Sequence, residues 1–157
     1  MKGNKNVLDK LNGLLVEELT AINQYMVHAE MCEDWGYKGL HQHAWKRSIA
    51  EMKHAEKLIE RILFLEGTPV VTQLNKITIG AEIPKQFDLD VHLEYDAVRQ
   101  YNEAIKVCVD SADNATKELL ESILKDEDGH VNDLEALQTQ VEQMGLPVFL
   151  TTQVEKS

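Results

Sequence analysis

Only two cysteines occur in 157 residues, Cys32 and Cys108, and they form no C-x-x-C pair. Far apart in the chain, they are expected as buried reduced thiols, which sets aside a disulfide framework and a structural zinc site. Basic residues are scarce too: 16 Lys and Arg stand against 27 Asp and Glu, for a formal net charge of −11. Nucleic-acid binding needs a basic footprint, so that class is excluded and attraction of cations is favoured. No stretch approaches the roughly 18 uninterrupted apolar residues of a membrane span. The opening Met1-Lys2-Gly3-Asn4 is no signal peptide, and there is no low-complexity segment. A cytoplasmic protein follows, with neither nucleic acid nor membrane as partner.

What the chain does have is 43% apolar residues, enough for the core of one domain spanning residues 1–157, laid out at helical spacing. A first helix is predicted from about Lys5 to Asp34 and a second from about Gly39 to Glu66, with Gly36 and Gly39 bracketing a short turn. From Gly67-Thr68-Pro69 to about Ile83 the periodicity lapses, which reads as a long connection. Pro84 opens a third helix to about Ser111; Asp113-Asn114 caps a fourth that runs to Met144. Gly145-Leu146-Pro147 then breaks the chain before a short fifth helix around Val148-Phe149-Leu150. The fold class is therefore all-α, a four-helix bundle with a long crossover between helices two and three and a short C-terminal helix.

Each bundle helix carries one carboxylate where its apolar seam demands an apolar residue. Leu11, Leu15, Glu18, Ile22, Tyr25 and Ala29 step by 4, 3, 4, 3 and 4. Ala44, Ser48, Glu51, Ala55, Leu58, Ile62 and Leu65 form the second seam. Phe87, Val91, Glu94, Val98, Tyr101, Ile105 and Cys108 form the third, and Leu120, Leu124, Glu127, Val131, Leu134, Gln138 and Val141 the fourth. A random Glu in so acidic a chain belongs on a solvated face. Four in mid-seam do not.

The four are also a repeat. The differences 94 − 18, 127 − 51 and 130 − 54 are all 76, and Glu18, Ala21, Gln24 and Tyr25 recur at that offset as Glu94, Ala97, Gln100 and Tyr101. Each half supplies a lone Glu and then a Glu-x-x-His. Positions i and i+3 share a helix face, so Glu51 with His54, and Glu127 with His130, can each grip one ion. Burying an unpaired carboxylate costs several kcal/mol, and four together require neutralisation. Two divalent cations, +4, balance the −4 of Glu18, Glu51, Glu94 and Glu127 once His54 and His130 bind as neutral imidazoles.

Mixed oxygen and nitrogen ligands suit Fe, Mn or Zn. Two carboxylate-bridged positions point to a redox pair, with Glu51 and Glu127 as bridges and Glu18 and Glu94 closing the outer sides. Tyr25, on the seam of Glu18, is placed to hydrogen-bond the site or donate an electron, or simply packs. His41, His43 and His92 have no Glu at −3 and lie near predicted helix starts, which suits surface or capping roles; His28 has no assigned role.

The runs Glu18-Leu-Thr-Ala-Ile-Asn-Gln-Tyr25, Glu51-Met-Lys-His-Ala55, Arg61-Ile-Leu-Phe-Leu-Glu-Gly67 and Glu127-Asp-Gly-His130, with Met1-Lys2-Gly3 and Met144-Gly145-Leu146, resemble the bacterioferritins over essentially the whole chain. The resemblance implies a ferritin-like bundle with a di-iron centre of two Fe ions per subunit, held by the six Glu and His residues. It implies a ferroxidase that oxidises Fe(II) with O2 or H2O2, and a 24-subunit homo-oligomeric cage storing ferric mineral. It also implies haem b, one per subunit pair, clamped by a Met from each subunit. The matching residue is Met52, with Met31 and Trp35 as further candidates for lining that pocket. A ferredoxin is the implied reductant for iron release, and a second ferritin subunit type is a possible partner. The missing C-x-x-C pairs remove the rubredoxin-type iron module of some related proteins.

The chain departs from its resemblance at Lys46, Arg47 and Ala50, where some members carry iron-binding residues on the inner surface, and at Asp133, where some have Trp. Two other readings compete with storage. One is a haem b electron-transfer protein with a structural di-metal site, the other a ferritin-like peroxidase that stores no mineral.

Overall fold

The computed structural model describes residues 1–155. Its helices are α1 (Lys5–Asp34), α2 (Lys38–Phe64), α3 (Ile83–Asp110), α4 (Asn114–Met144) and α5 (Leu146–Thr151). Among the described residues there is no strand, and no helix is long and apolar enough to cross a membrane.

Local chemistry sets the helix ends. Asn4 caps α1 by accepting from the N–H groups of Asn6 and Val7, and Asp113 caps α4 by accepting from that of Thr116. The first three helices stop on a residue in the left-handed region: Gly36 at φ 83, Glu66 at φ 61 and Ala112 at φ 56. In each case the N–H of the next residue closes on the helix, as when Gly67 donates to the Ile62 carbonyl at 2.9 Å. The expectation that α2 runs to about Glu66 needs a small correction, because the reversal falls on Glu66 itself and the helix ends at Phe64.

Helices α1 and α2 form one hairpin and α3 and α4 the other, with α1 packed on α3. Side chains join α2 to α4: Arg47 pairs with Asp133 at 3.2 Å, and Arg61 reaches Thr116 and Asp113. The core has two apolar parts. One gathers Val7, Leu11, Leu14, Leu15, Leu58, Ile62, Leu120 and Ile123; the other gathers Leu40, Phe87, Val91, Leu134 and Phe149, the last brought in by α5. In the sequence of every bundle helix the central Glu falls between the residues of these two parts, so apolar packing shields the middle of the bundle from both ends.

The crossover is tied to α1 by side chains. Asn12 holds Thr68 and Val70, Thr20 accepts from the Asn75 N–H at 2.9 Å, and His28 Nε2 accepts from the Gly80 N–H at 3.0 Å. Because Nε2 accepts, His28 Nδ1 carries the proton and donates to Asp90 Oδ1 at 2.9 Å, an oxygen that also accepts from Gln24. Gly80 can approach this closely only without a side chain, since a Cβ would stand 2.6 Å from the Gln86 nitrogen. We expect His28→Ala to destabilise the fold by about 3 kcal/mol, because it leaves the buried Gly80 N–H without a partner, at a cost of about 1–3 kcal/mol, and takes one of the two hydrogen bonds from the buried Asp90 oxygen. Equal urea midpoints for variant and parent would refute this.

Candidate metal centre

All six seam and Glu-x-x-His residues meet in the middle of the bundle. Glu18, Glu51, Glu94 and Glu127 are at most 1% exposed, and His54 and His130 are buried beside them. The donor atoms fall into two groups, each within 4.8 Å: Glu18, Glu51, His54 and Glu127, and Glu51, Glu94, Glu127 and His130. Glu51 and Glu127 belong to both.

The sequence repeat is a geometric repeat. His54 Nδ1 lies 2.9 Å from Glu127 Oε1 and 3.6 Å from Glu18 Oε2; His130 Nδ1 lies 2.9 Å from Glu51 Oε1 and 3.5 Å from Glu94 Oε1. Tyr25 donates to Glu94 Oε1 at 2.7 Å, and Tyr101 donates to Glu18 Oε1 at 2.6 Å. Each tyrosine thus holds the lone Glu of the opposite half. Both rings are fully buried.

Despite these short distances the inward atoms lack aligned hydrogen bonds. Glu18 Oε2, Glu51 Oε1, Glu94 Oε2, both oxygens of Glu127, His54 Nδ1 and His130 Nδ1 are buried without a hydrogen-bond partner. Orphaned polar atoms at this density are too costly for a packing role. Carboxylate oxygens and imidazole nitrogens converging from four helices fit two divalent cations, and one outer contact fits as well. His54 turns Nε2 to Asp126 Oδ2 at 2.9 Å, the carboxylate support typical of a ligating histidine.

Electrostatics tell the same story for the metal-free chain. Burial, reinforced by the neighbouring carboxylates, pushes Glu51 and Glu94 well above the usual carboxylate range. Burial acts likewise on Glu127, yet the close approach of His54 Nδ1, 2.9 Å away, and of Glu94 and Glu51 outweighs it and holds this carboxyl low. His54 is pulled down by burial, but Glu127 and Glu18 raise it to about 10. Without cations, the cluster is stable only when it holds protons.

A pH dependence follows. Glu51 and Glu94 keep protons that the unfolded chain releases above its carboxylate value of 4.5, so folding loses stability as pH rises beyond that point. The contribution of His54 is complete below 6.5 and is lost as pH climbs through about 10. The metal-free protein should melt at progressively lower temperature between about pH 6 and about pH 9. Calorimetry showing the opposite trend would contradict the assignment.

Around the centre lie residues that sequence reasoning missed. Tyr101 was visible in the repeat without being assigned to the site. Asp126 gave no signal, being 54% exposed beside a seam residue. Glu17 is 7% exposed and lines a narrow cleft with Glu18, Ala21, Glu51, Leu93, Glu94, Ala97 and Glu127. Its Oε1 accepts from Asn75 at 2.7 Å and Gln100 at 2.6 Å. Burial nevertheless keeps its carboxyl above the usual range.

Other expectations sort differently. His92 is exposed, and His41 Nδ1 lies 2.9 Å from the Ala29 carbonyl. His43 is half-buried, and burial, with Arg47 nearby, lowers its ring to about 4. Met52 is 42% exposed and turned away from the six ligands. The Met31 sulfur accepts from Gln86 of α3 at 3.7 Å, and Trp35 lines a groove with Tyr37, Ala81 and Leu146.

The bundle, its crossover and its buried carboxylate and histidine cluster define a ferritin-like protein, and the ferritin-like domain model matches residues 8–144. Within that class the chain is 43% identical to a bacterioferritin of Rhodobacter capsulatus, over 86% of its own length and 84% of the relative's. It is 40% identical to one of Mycobacterium tuberculosis (92% and 89%) and 37% identical to one of Mycolicibacterium paratuberculosis (95% and 94%). The chain belongs to the bacterioferritin family.

Proposed function

We propose that this chain is an iron-storing ferroxidase: it takes up Fe(II), oxidises it at the two-metal centre and retains the ferric product inside a cage of 24 subunits. The observation that carries this is the pair of interlocked donor groups sharing Glu51 and Glu127, each completed by one outer Glu and one His. Glu51 and Glu127 serve as bridges; Glu18 with His54, and Glu94 with His130, serve as the terminal ligands. Two irons held there supply two electrons together, enough to take O2 to the level of peroxide or peroxide to water.

The protein's part is preorganisation. Tyr25 and Tyr101 each occupy one oxygen of a terminal Glu, leaving the other, Glu94 Oε2 or Glu18 Oε2, bare toward the centre. Asp126 accepts a hydrogen bond from His54 Nε2–H, which keeps that proton on Nε2 and leaves Nδ1 as the inward nitrogen free to ligate. The two apolar parts of the core keep bulk water away. Glu17, at the cleft, offers incoming Fe(II) a carboxylate on its way to Glu18.

Haem b fits a second place. Met52 presents a soft thioether outside the bundle's own core, in an apolar stripe with Trp45, Ile49, Ile59 and Leu63 on α2. A pair of subunits facing each other across this stripe would offer one Met from each side, and a ferredoxin could then deliver electrons for iron release. Aerobic loading with Fe(II) followed by gel filtration tests storage. We expect retained iron far above two per chain; retention stopping at two would favour the non-storing peroxidase or the haem carrier.

A further inference from the structure

The centre's two halves repeat closely on the inside and differ on the outside. His54 Nε2 is braced by Asp126 at 2.9 Å. Under the offset of 76 that relates His54 to His130, Asp126 corresponds to position 50, because 126 − 76 = 50, and residue 50 is alanine. His130 therefore has no carboxylate in the place where its counterpart has one. The inner distances, by contrast, agree pairwise, 2.9 Å against 2.9 Å for the cross-half Glu and 3.6 Å against 3.5 Å for the lone Glu, although the oxygen facing the imidazole is the bare Oε2 in Glu18 and the tyrosine-held Oε1 in Glu94.

An outer carboxylate fixes the tautomer and orientation of a ligating imidazole and raises its basicity; removing one costs about 10–100-fold in metal affinity. We infer that the two metal positions are unequal by construction. The position of Glu18, Glu51, His54 and Glu127 binds its ion tightly, with Asp126 as positioning residue, and the position of Glu51, Glu94, Glu127 and His130 holds the exchangeable ion. This rests on the two-metal reading above and adds which half loads first.

The test is an oxygen-free titration of the metal-free assembly with Co(II), followed by visible absorption against a competing chelator. Shared bridges would separate two binding steps even in a symmetric centre, so the variants decide. Asp126→Asn should weaken the tight step about 10–100-fold and Asp126→Glu should recover part of it, whereas Ala50→Asp should strengthen the weak step and bring the two together. Glu94→Ala should keep the tight step, and Glu18→Ala should lose it. Unchanged affinities in both Asp126→Asn and Ala50→Asp, or loss of the tight step in Glu94→Ala, would overturn the inference while leaving two-metal binding intact. Fewer than two Co(II) per chain in the parent protein would overturn the two-metal reading itself.

Discussion

Glu94→Ala is expected to abolish the fast phase of Fe(II) oxidation. In the parent protein, anaerobic loading with Fe(II) and rapid mixing with oxygen should give a fast phase that saturates near two irons per chain. Glu94 is proposed as a terminal donor for one ion, its Oε2 is buried and bare, and Tyr25 holds its other oxygen at 2.7 Å. Alanine removes that donor and leaves the Tyr25 hydroxyl buried without a partner. Loss of an outer support alone costs about 10–100-fold in affinity or activity, so loss of a direct ligand should slow the fast phase by more than about 100-fold. A saturable fast phase of normal amplitude in this variant would sink the ferroxidase assignment. Tyr25→Phe is the milder companion: it keeps all six ligands and removes one hydrogen bond.

Met52→Leu is expected to strip the assembly of haem. Leucine replaces the thioether at nearly the same volume, so the bundle should tolerate it, and Met52 is half-exposed and outside the buried carboxylate and histidine cluster. Haem per chain, measured after extraction, should fall from about one for every two chains to near zero, while the fast phase of iron oxidation is unchanged. Full haem retention in Met52→Leu would place the axial ligand elsewhere. This variant also separates the storage reading from the haem-carrier reading, because only the latter loses its main activity.

The six residues of the buried cluster were legible in the sequence because four of them broke a rule, carboxylates in mid-seam, and broke it twice at one offset. The bundle was legible for a related reason: Leu11, Leu58, Ile62 and Leu120, which set the helical period, are the residues that end up fully buried. Position and role were less legible where a contact joins distant segments without periodicity. His28 is among the most buried residues, yet its partners are a crossover glycine and Asp90, one helical turn before Glu94. Asp126 looked like any solvated acid, since only the fold brings it to His54 from 72 residues away. The Arg47–Asp133 pair joins two of the departures noted in the sequence, since both residues stand where other members of the family carry different side chains.

The crossed tyrosine bonds have a consequence for chain order. Each hairpin keeps its own Glu-x-x-His but hands the positioning of its lone Glu to the other hairpin, so neither builds half a centre alone. Asp126 aside, the two hairpins nevertheless contribute matching residues to the cluster, and nothing among those six residues records which hairpin is translated first. That information resides in the strap running from Leu65 to Glu82. A circularly permuted chain, begun at α3 and rejoined from α4 to α1, would specify the same buried cluster.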